Sequence, residues 1–399
     1  MDFSGSLVLR KVIENNLHII YNIDITTLPS KLFWTRLCRK TRQHKLHGRK
    51  NMIKFNKLTA FTLSASILTA GSVFAEQRLS MATSWGGGPP LEWAQGFADL
   101  VGEMTDGEVT IEVFTAGTLG SPLKVGETVR NGVAETGHTF IGYEYGADKT
   151  TVLFGGRPGG LTADQMQHWL SQGGGAEMWR EYRMETAELV AFPCAYIPRE
   201  GGMFSSRRVQ SVGDFDGLKL RTAGAWSEIA AGLGVATVVT PGAEVYQALE
   251  RGVVDAVEWS ALSLNQSSGF HKVAPYIVLP GFHQSTVVME CSFNTEAWDQ
   301  ISEHNQKMIE HAAYIQAHRV YERTGNADAD AYAFFEEAGS EFVTVDDEVL
   351  AKVAELTTEW EDANAAELGG WFTRVLEDQR AFQARWVNAH EYRDSKPTQ

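Results

Sequence analysis

The 399-residue sequence predicts a two-lobed α/β fold with a hinged cleft, several crossings between the lobes and helices at its C-terminal end. Three observations predict it. Short β-branched runs alternate with helix-period segments over Arg78–Phe114 and again over Asp214–Trp259, the pattern of β-α-β units and a largely parallel sheet. Two apolar strand-like runs, Glu188–Tyr196 and Val287–Phe293, lie far apart in the chain and read as passages between one lobe and the other. From Ile301 onward the pattern is mostly helical. Two lobes joined by more than one passage form a hinged pair that closes over a cleft.

The N-terminal segment is expected to stand apart from this globule. Lys54 and Lys57 precede the uncharged apolar run Leu58–Thr69, and Val73-Phe74-Ala75 ends it as a small-residue cleavage site, so residues 52–75 read as a signal peptide and the mature protein as periplasmic. Residues 1–51 precede a methionine that already starts a complete leader and read as a mis-called upstream start without structure. Residues 1–75 hold 12 basic and 3 acidic side chains; of the chain's 35 and 50, this leaves 23 against 47, a net charge of −24. Such a surface repels nucleic acid and anionic headgroups, and an anionic ligand needs a local positive site. Cys194 and Cys291 remain, each in an apolar run, and both a disulfide and two buried thiols are open readings.

In chain order, Arg78–Trp85 alternates as a strand and stops at Gly86-Gly87-Gly88-Pro89-Pro90. Trp93, Phe97, Leu100, Val101 and Met104 keep helical spacing, Val109–Phe114 is a strand, Pro122–Arg130 a helix, and the stretch around His138–Ile141 a strand. Gly155-Gly156-Arg157-Pro158-Gly159-Gly160 lacks the Gly-Lys-Ser/Thr ending of a phosphate loop and reads as an ordinary loop. A helix over Leu161–Trp179 breaks at Gly173-Gly174-Gly175. IPREGGMF, Ile197–Phe204, reads as an abrupt turn with two charges beside two glycines.

In the second lobe, Leu218–Arg221 is a short strand ending in a guanidinium, at the strand end where open α/β sheets bind ligands. A helix ends near Gly232-Leu233-Gly234, and Val235–Val239 is the next strand. Thr240-Pro241 reads as an N-cap with proline at the first helical position, Glu244 falls in the first turn, and Val245, Leu249 and Val253 share one face. Gly252 ends this helix before the strand Val254–Trp259. Ala274–Pro280 is strand-like, and Pro280-Gly281-Phe282-His283-Gln284 is a turn. Helices follow over Ile301–Thr324, Asp328–Ala338, Asp347–Ala366 and Trp371–His390. The expected organisation is 76–196 for the first lobe, 197–275 for the core of the second, 276–370 completing both, and 371–399 a C-terminal helix whose aromatics suit a homodimer interface.

DFDGLKLR and EVYQALERGVVDAVEW resemble the substrate-binding subunits of tripartite ATP-independent periplasmic (TRAP) transporters, the DctP-like family, and the resemblance extends from Arg78 to about Lys396. It implies a protein that captures a small organic acid and delivers it to TRAP membrane subunits. It further implies that Arg221 forms a two-pronged salt bridge with the ligand carboxylate, a geometry guanidinium suits. The pair Glu258-Trp259, with Glu290 inside a later apolar strand, is similar to the branch that binds 2-oxo and 2-hydroxy monocarboxylates through sodium or calcium. In that branch the pair and the downstream glutamate supply metal oxygens. No other cofactor is implied.

Where a glutamine is expected before the Gly-Gly turn, this chain has Arg199 and Glu200. Arg199 could replace the metal, or hold a second ligand carboxylate while Glu200 faces solvent. A metal survives only if Arg199 turns away and Glu200 or water fills the place. His304, His311 and His318 share a helix face but lie roughly 10 Å apart along the axis, too far for one zinc, and read as a solvated stripe. No Ser-His-Asp order, HExxH or CxxC supports catalysis. The rival classes are a periplasmic enzyme acting on a small carboxylate and a sensor-coupled binding protein.

Overall fold

Residues 76–393 are described by the computed structural model, so the expected upstream segment and signal peptide lie outside the described residues. In chain order the strands are β1 (Gln77–Thr83), β2 (Val109–Phe114), β3 (Thr136–Phe140), β4 (Leu189–Ile197), β5 (Met203–Ser205) and β6 (Lys219–Arg221). They continue with β7 (Ala236–Val238), β8 (Ala256–Glu258), β9 (Tyr276–Leu279), β10 (Val287–Asn294) and β11 (Glu341–Thr344). They form two sheets, one ordered β2-β1-β3-β10-β4 and the other β11-β9-β5-β8-β6-β7, and the fold is the expected two-lobed α/β.

The first sheet begins as β-α-β. β1 pairs in parallel with β2 and β3, and the helix Pro89–Met104 connects the first two strands with Trp93, Phe97, Leu100 and Val101 buried. Its opening prolines cost nothing there, because the first N–H groups of a helix have no partner within it. The later strand β10 then inserts antiparallel between β3 and β4. Its burial is nearly complete, which is why its sequence reads as a continuous apolar run rather than an alternation. Cys194 and Cys291 form a disulfide between β4 and β10.

The chain passes between the sheets at three places: from β4 to β5 through residues 198–202, from β9 to β10 through 280–286, and from β10 to β11 along the helix Glu303–Glu337. The sequence predicts two helices in this last stretch, but Gly325 sits within one continuous 35-residue helix. No proline interrupts it, and a single glycine costs only about 1 kcal/mol. The strand β11, not foreseen, extends the second sheet in parallel with β9.

Two local readings change in the second sheet. Thr240 does not cap a helix, since a 3-10 turn Gly242–Glu244 intervenes and the helix is Val245–Glu250. That helix stops before Val253, which is 61% exposed while Val245 and Leu249 are buried. In the tail helix Gly370–Arg393, Phe372, Val375, Leu376 and Phe382 are buried in the same core as Trp169 and Trp360. The apolar side expected to meet a second copy is thus covered by the chain itself.

Candidate functional site

β6 and β8 are adjacent parallel strands, with Arg221 opposite Val257, so both bring their C-terminal ends to one edge. Arg221 closes β6 and Glu258 closes β8, each more than nine-tenths buried. Nη1 of Arg221 donates to the Glu258 carbonyl at 3.0 Å and Nη2 to the Thr240 carbonyl at 2.8 Å, which fixes the guanidinium plane. The Trp259 ring lies under it, 5.2 Å from Cζ to centroid. The Glu258 carboxylate accepts the Ala223 N–H at 2.9 Å and stands 3.7 Å from Nη1 of Arg221.

These groups border a cavity of about 290 Å³, the lower end of the range for small-molecule sites. Trp85, Phe140 and Tyr143 line it from the first sheet's side, Arg221, Glu258 and Trp259 from the second. Trp85 is held by its indole N–H, which donates to Nδ1 of His138 at 2.6 Å.

Glu200 turns inward and borders this cavity, whereas Arg199 lines a separate one with Phe282 and Leu350. Arg199 is not placed among the cleft side chains and Glu200 is 6% exposed rather than solvent-facing, so of the alternatives for the pair the structure has the one in which Arg199 turns away and Glu200 fills the place. Two glycines allow the inward path. A Cβ on Gly202, at φ 91°, would collide with the Val278 carbonyl, and one on Gly281 with the Glu200 carbonyl. The two inter-sheet passages therefore run close together and deliver His283 to Glu200, with Nε2 2.6 Å from Oε2.

The same Nε2 is 3.6 Å from Glu258, and Glu200, Glu258 and His283 have their donor atoms within 4.8 Å of one another. Burial and then the Glu258 charge push the Glu200 carboxyl up to about 8. Burial alone would lower the His283 imidazole, but the Glu200 hydrogen bond and the two carboxylate charges outweigh it and raise it. The pair thus keeps a proton.

Glu290, expected beside Glu258, is elsewhere. Its carboxylate accepts from Arg183 Nη2 and Trp179 Nε1, each at 2.8 Å, inside the first sheet's packing. An apolar strand buried on both faces carries its acid to a buried arginine, not to the cleft. The sequence reading missed His283, whose signal was a histidine in a turn entering a crossing strand. His304 and His311 are exposed as expected, whereas His318 is half-buried, with its ring against Tyr196 and Tyr314.

Residues 87–366 match the family described as bacterial extracellular solute-binding protein, family 7, DctP. The chain belongs to that family. The resemblance read from DFDGLKLR and EVYQALERGVVDAVEW is therefore borne out. A monocarboxylate 2-oxoacid-binding periplasmic protein from Nostoc sp. is 29% identical over 79% of this chain and 87% of its own length. A TRAP periplasmic solute-binding protein from Pseudoalteromonas atlantica, solved with sodium and pyruvate, superposes with TM-score 0.76 at 27% identity, covering 80% of this chain and 97% of its own. A TRAP solute-binding protein from Bordetella bronchiseptica, a dimer with copurified calcium and picolinate at one site and an apo site, gives TM-score 0.76 at 25% identity, covering 80% and 95%. Among the described residues no helix is long and apolar enough to cross a membrane.

Sodium and calcium take oxygen ligands. The side chains gathered here supply four carboxylate oxygens and one imidazole nitrogen, and that nitrogen is engaged with Glu200. Carboxylate oxygens are the ligands such cations take, so Glu200 and Glu258 are the side chains that would hold one.

Proposed function

We propose that this protein is a periplasmic solute receptor that captures a small organic acid, a 2-oxo or 2-hydroxy monocarboxylate, and hands it to the membrane subunits of a TRAP transporter without transforming it. The observation that carries this reading is Arg221, buried, oriented by two carbonyls and stacked on Trp259 at the edge of a cavity sized for a few heavy atoms. A guanidinium held this way grips a carboxylate more strongly than one in bulk water, because charge-assisted bonds strengthen where water is excluded. Trp85, Phe140 and Tyr143 supply the apolar wall for a short carbon chain. Glu258 and Trp259 act on the ligand side through Arg221, and Glu200 faces the ligand's second oxygen-bearing group.

A thermal-shift screen of pyruvate, lactate, longer 2-oxo acids and C4 dicarboxylates tests it, since a ligand that binds only the folded state raises the melting temperature. Stabilisation by monocarboxylates and not by dicarboxylates is expected. No response to any acid, or turnover of one, would sink the proposal.

A further inference from the structure

We propose that the cleft selects acids whose apolar tail is longer than the methyl group of pyruvate, with the tail running from Arg221 towards the mouth between two helices. The inference rests on the carboxylate reading above and names the ligand class of that same site.

The cavity has a buried end and an open one. Arg221, Glu200 and Glu258 are each less than a tenth exposed and mark the buried end, where the acid head is held. Gly87, Gly88 and Ser267 also line the cavity but are exposed, so the space reaches solvent between the start of the helix Pro89–Met104 and the helix Leu262–Ser268. Both helices rest on the long helix Glu303–Glu337, and the Ser263 N–H donates to Asp328 at 2.7 Å, which ties the shorter one down. The mouth is framed by fixed elements.

Size and lining then choose the tail. About 290 Å³ is room for roughly ten water-sized groups at ~30 Å³ each, and pyruvate, with three carbons and three oxygens, fills little more than half of it. A cation held by Glu200 and Glu258 would take one such place and leave the rest. The walls towards the mouth are Pro89, Pro90, Leu264, Val287 and Met289. Methylenes buried against them leave water, each strengthening binding by up to about fourfold. A second carboxylate finds no partner there. Among the described residues that line the cavity Arg221 is the one cation, and the acid head engages it. A helix start is ordinarily a site for anions. Here Pro89 and Pro90 have no N–H, and the N–H groups of Leu91 and Glu92 go to the Gly88 carbonyl at 3.0 and 3.2 Å.

Calorimetry on the full mature protein tests this, with calcium present throughout so that metal occupancy is the same for each acid. Affinity should rise from pyruvate through 2-oxobutanoate and 2-oxopentanoate to 4-methyl-2-oxopentanoate, the last at least about tenfold tighter than pyruvate. 2-Oxoglutarate should bind at least about tenfold more weakly than 2-oxopentanoate, which has the same carbon count and no second charge. Ser268→Arg sets a cation at a partly exposed position of the mouth and should narrow that gap about tenfold, a change in charge preference that altered packing alone would not produce. Pyruvate bound as tightly as 4-methyl-2-oxopentanoate, or 2-oxoglutarate as tightly as 2-oxopentanoate, overturns the proposal on native protein alone, whether or not the variant folds. A folded variant with the gap unchanged places the tail elsewhere and also overturns it. A protein that binds none of the five acids refutes the carboxylate reading and this inference with it, whereas a wrong order of affinities refutes this inference and leaves that reading standing.

Discussion

Arg183 and Glu290 meet at 2.8 Å inside the first sheet's packing, with the other edge of the guanidinium on Glu144 and the Trp179 N–H on the carboxylate. An acid in the middle of an apolar strand is therefore a structural ion pair, distant in role from the cleft. Burial pushes the Glu290 carboxyl up, and Arg183 and the Trp179 N–H offset this only in part. Glu290→Gln should lower stability by about 3–5 kcal/mol, the usual cost of removing one member of a buried pair. Pyruvate affinity should not change. Urea unfolding and calorimetry on the same variant check both; lost affinity at full stability would return Glu290 to the site.

Arg221→Lys should keep the fold and bind pyruvate less well by about 2–5 kcal/mol. An ammonium can reach one of the two carbonyls that now hold the guanidinium, but it has no second planar prong to offer a carboxylate. Calorimetry against a circular-dichroism control reads this out, and native-like affinity in the folded variant would count against Arg221 as the anchor.

How much of this was legible in the sequence follows from range. Arg221, Glu258 and Trp259 were readable because one short β-α-β-α-β stretch sets them at adjacent strand ends, a local consequence of DFDGLKLR and DAVEW. Glu200 and His283 were not, because their meeting depends on two separate passages packed together through Gly202 and Gly281, and no local spacing encodes that. The same reasoning explains Glu290: its strand was correctly read as buried, but its arginine lies 107 residues away on another element. The β-α-β opening and the strands Leu189–Ile197 and Val287–Asn294 matched as buried strands, since periodicity reports burial directly, but both lie in the first sheet and the chain crosses in the segments beside them. Helix ends such as Val245 shifted, because a 3-10 turn and a cap look alike in sequence.

The tail helix supports the fold of its own chain. Besides its four buried apolar residues, Gln379 accepts from Arg157 at 2.8 Å and donates to the Leu153 carbonyl, while Arg157 pairs with Glu361 at 2.7 Å. Removing residues 370–399 should therefore destabilise the monomer severely, each large apolar side chain contributing about 1.5–3 kcal/mol. A truncated protein that melts normally and merely changes mass in light scattering would show the helix to be an assembly element instead.

The last prediction concerns pH. Glu200 and His283 both bind a proton more tightly in the folded chain than outside it, Glu200 up to about 8 through burial and Glu258, His283 through its carboxylate neighbours against its burial. The charged groups around them are Glu258, Arg221 and Arg199. When the folded state binds more protons, stability falls as pH rises. The favourable state of the pair is fully present below the ordinary carboxyl value of 4.5 and is lost as pH climbs through about 8. Glu200→Gln removes the raised carboxyl and leaves other titrating groups in place, so the native protein should lose ground to this variant between pH 5 and pH 8. Urea midpoints of both proteins at the two pH values measure the difference. If the native protein instead gains on the variant as pH rises, Glu200 is a normally ionised acid and does not share a proton with His283.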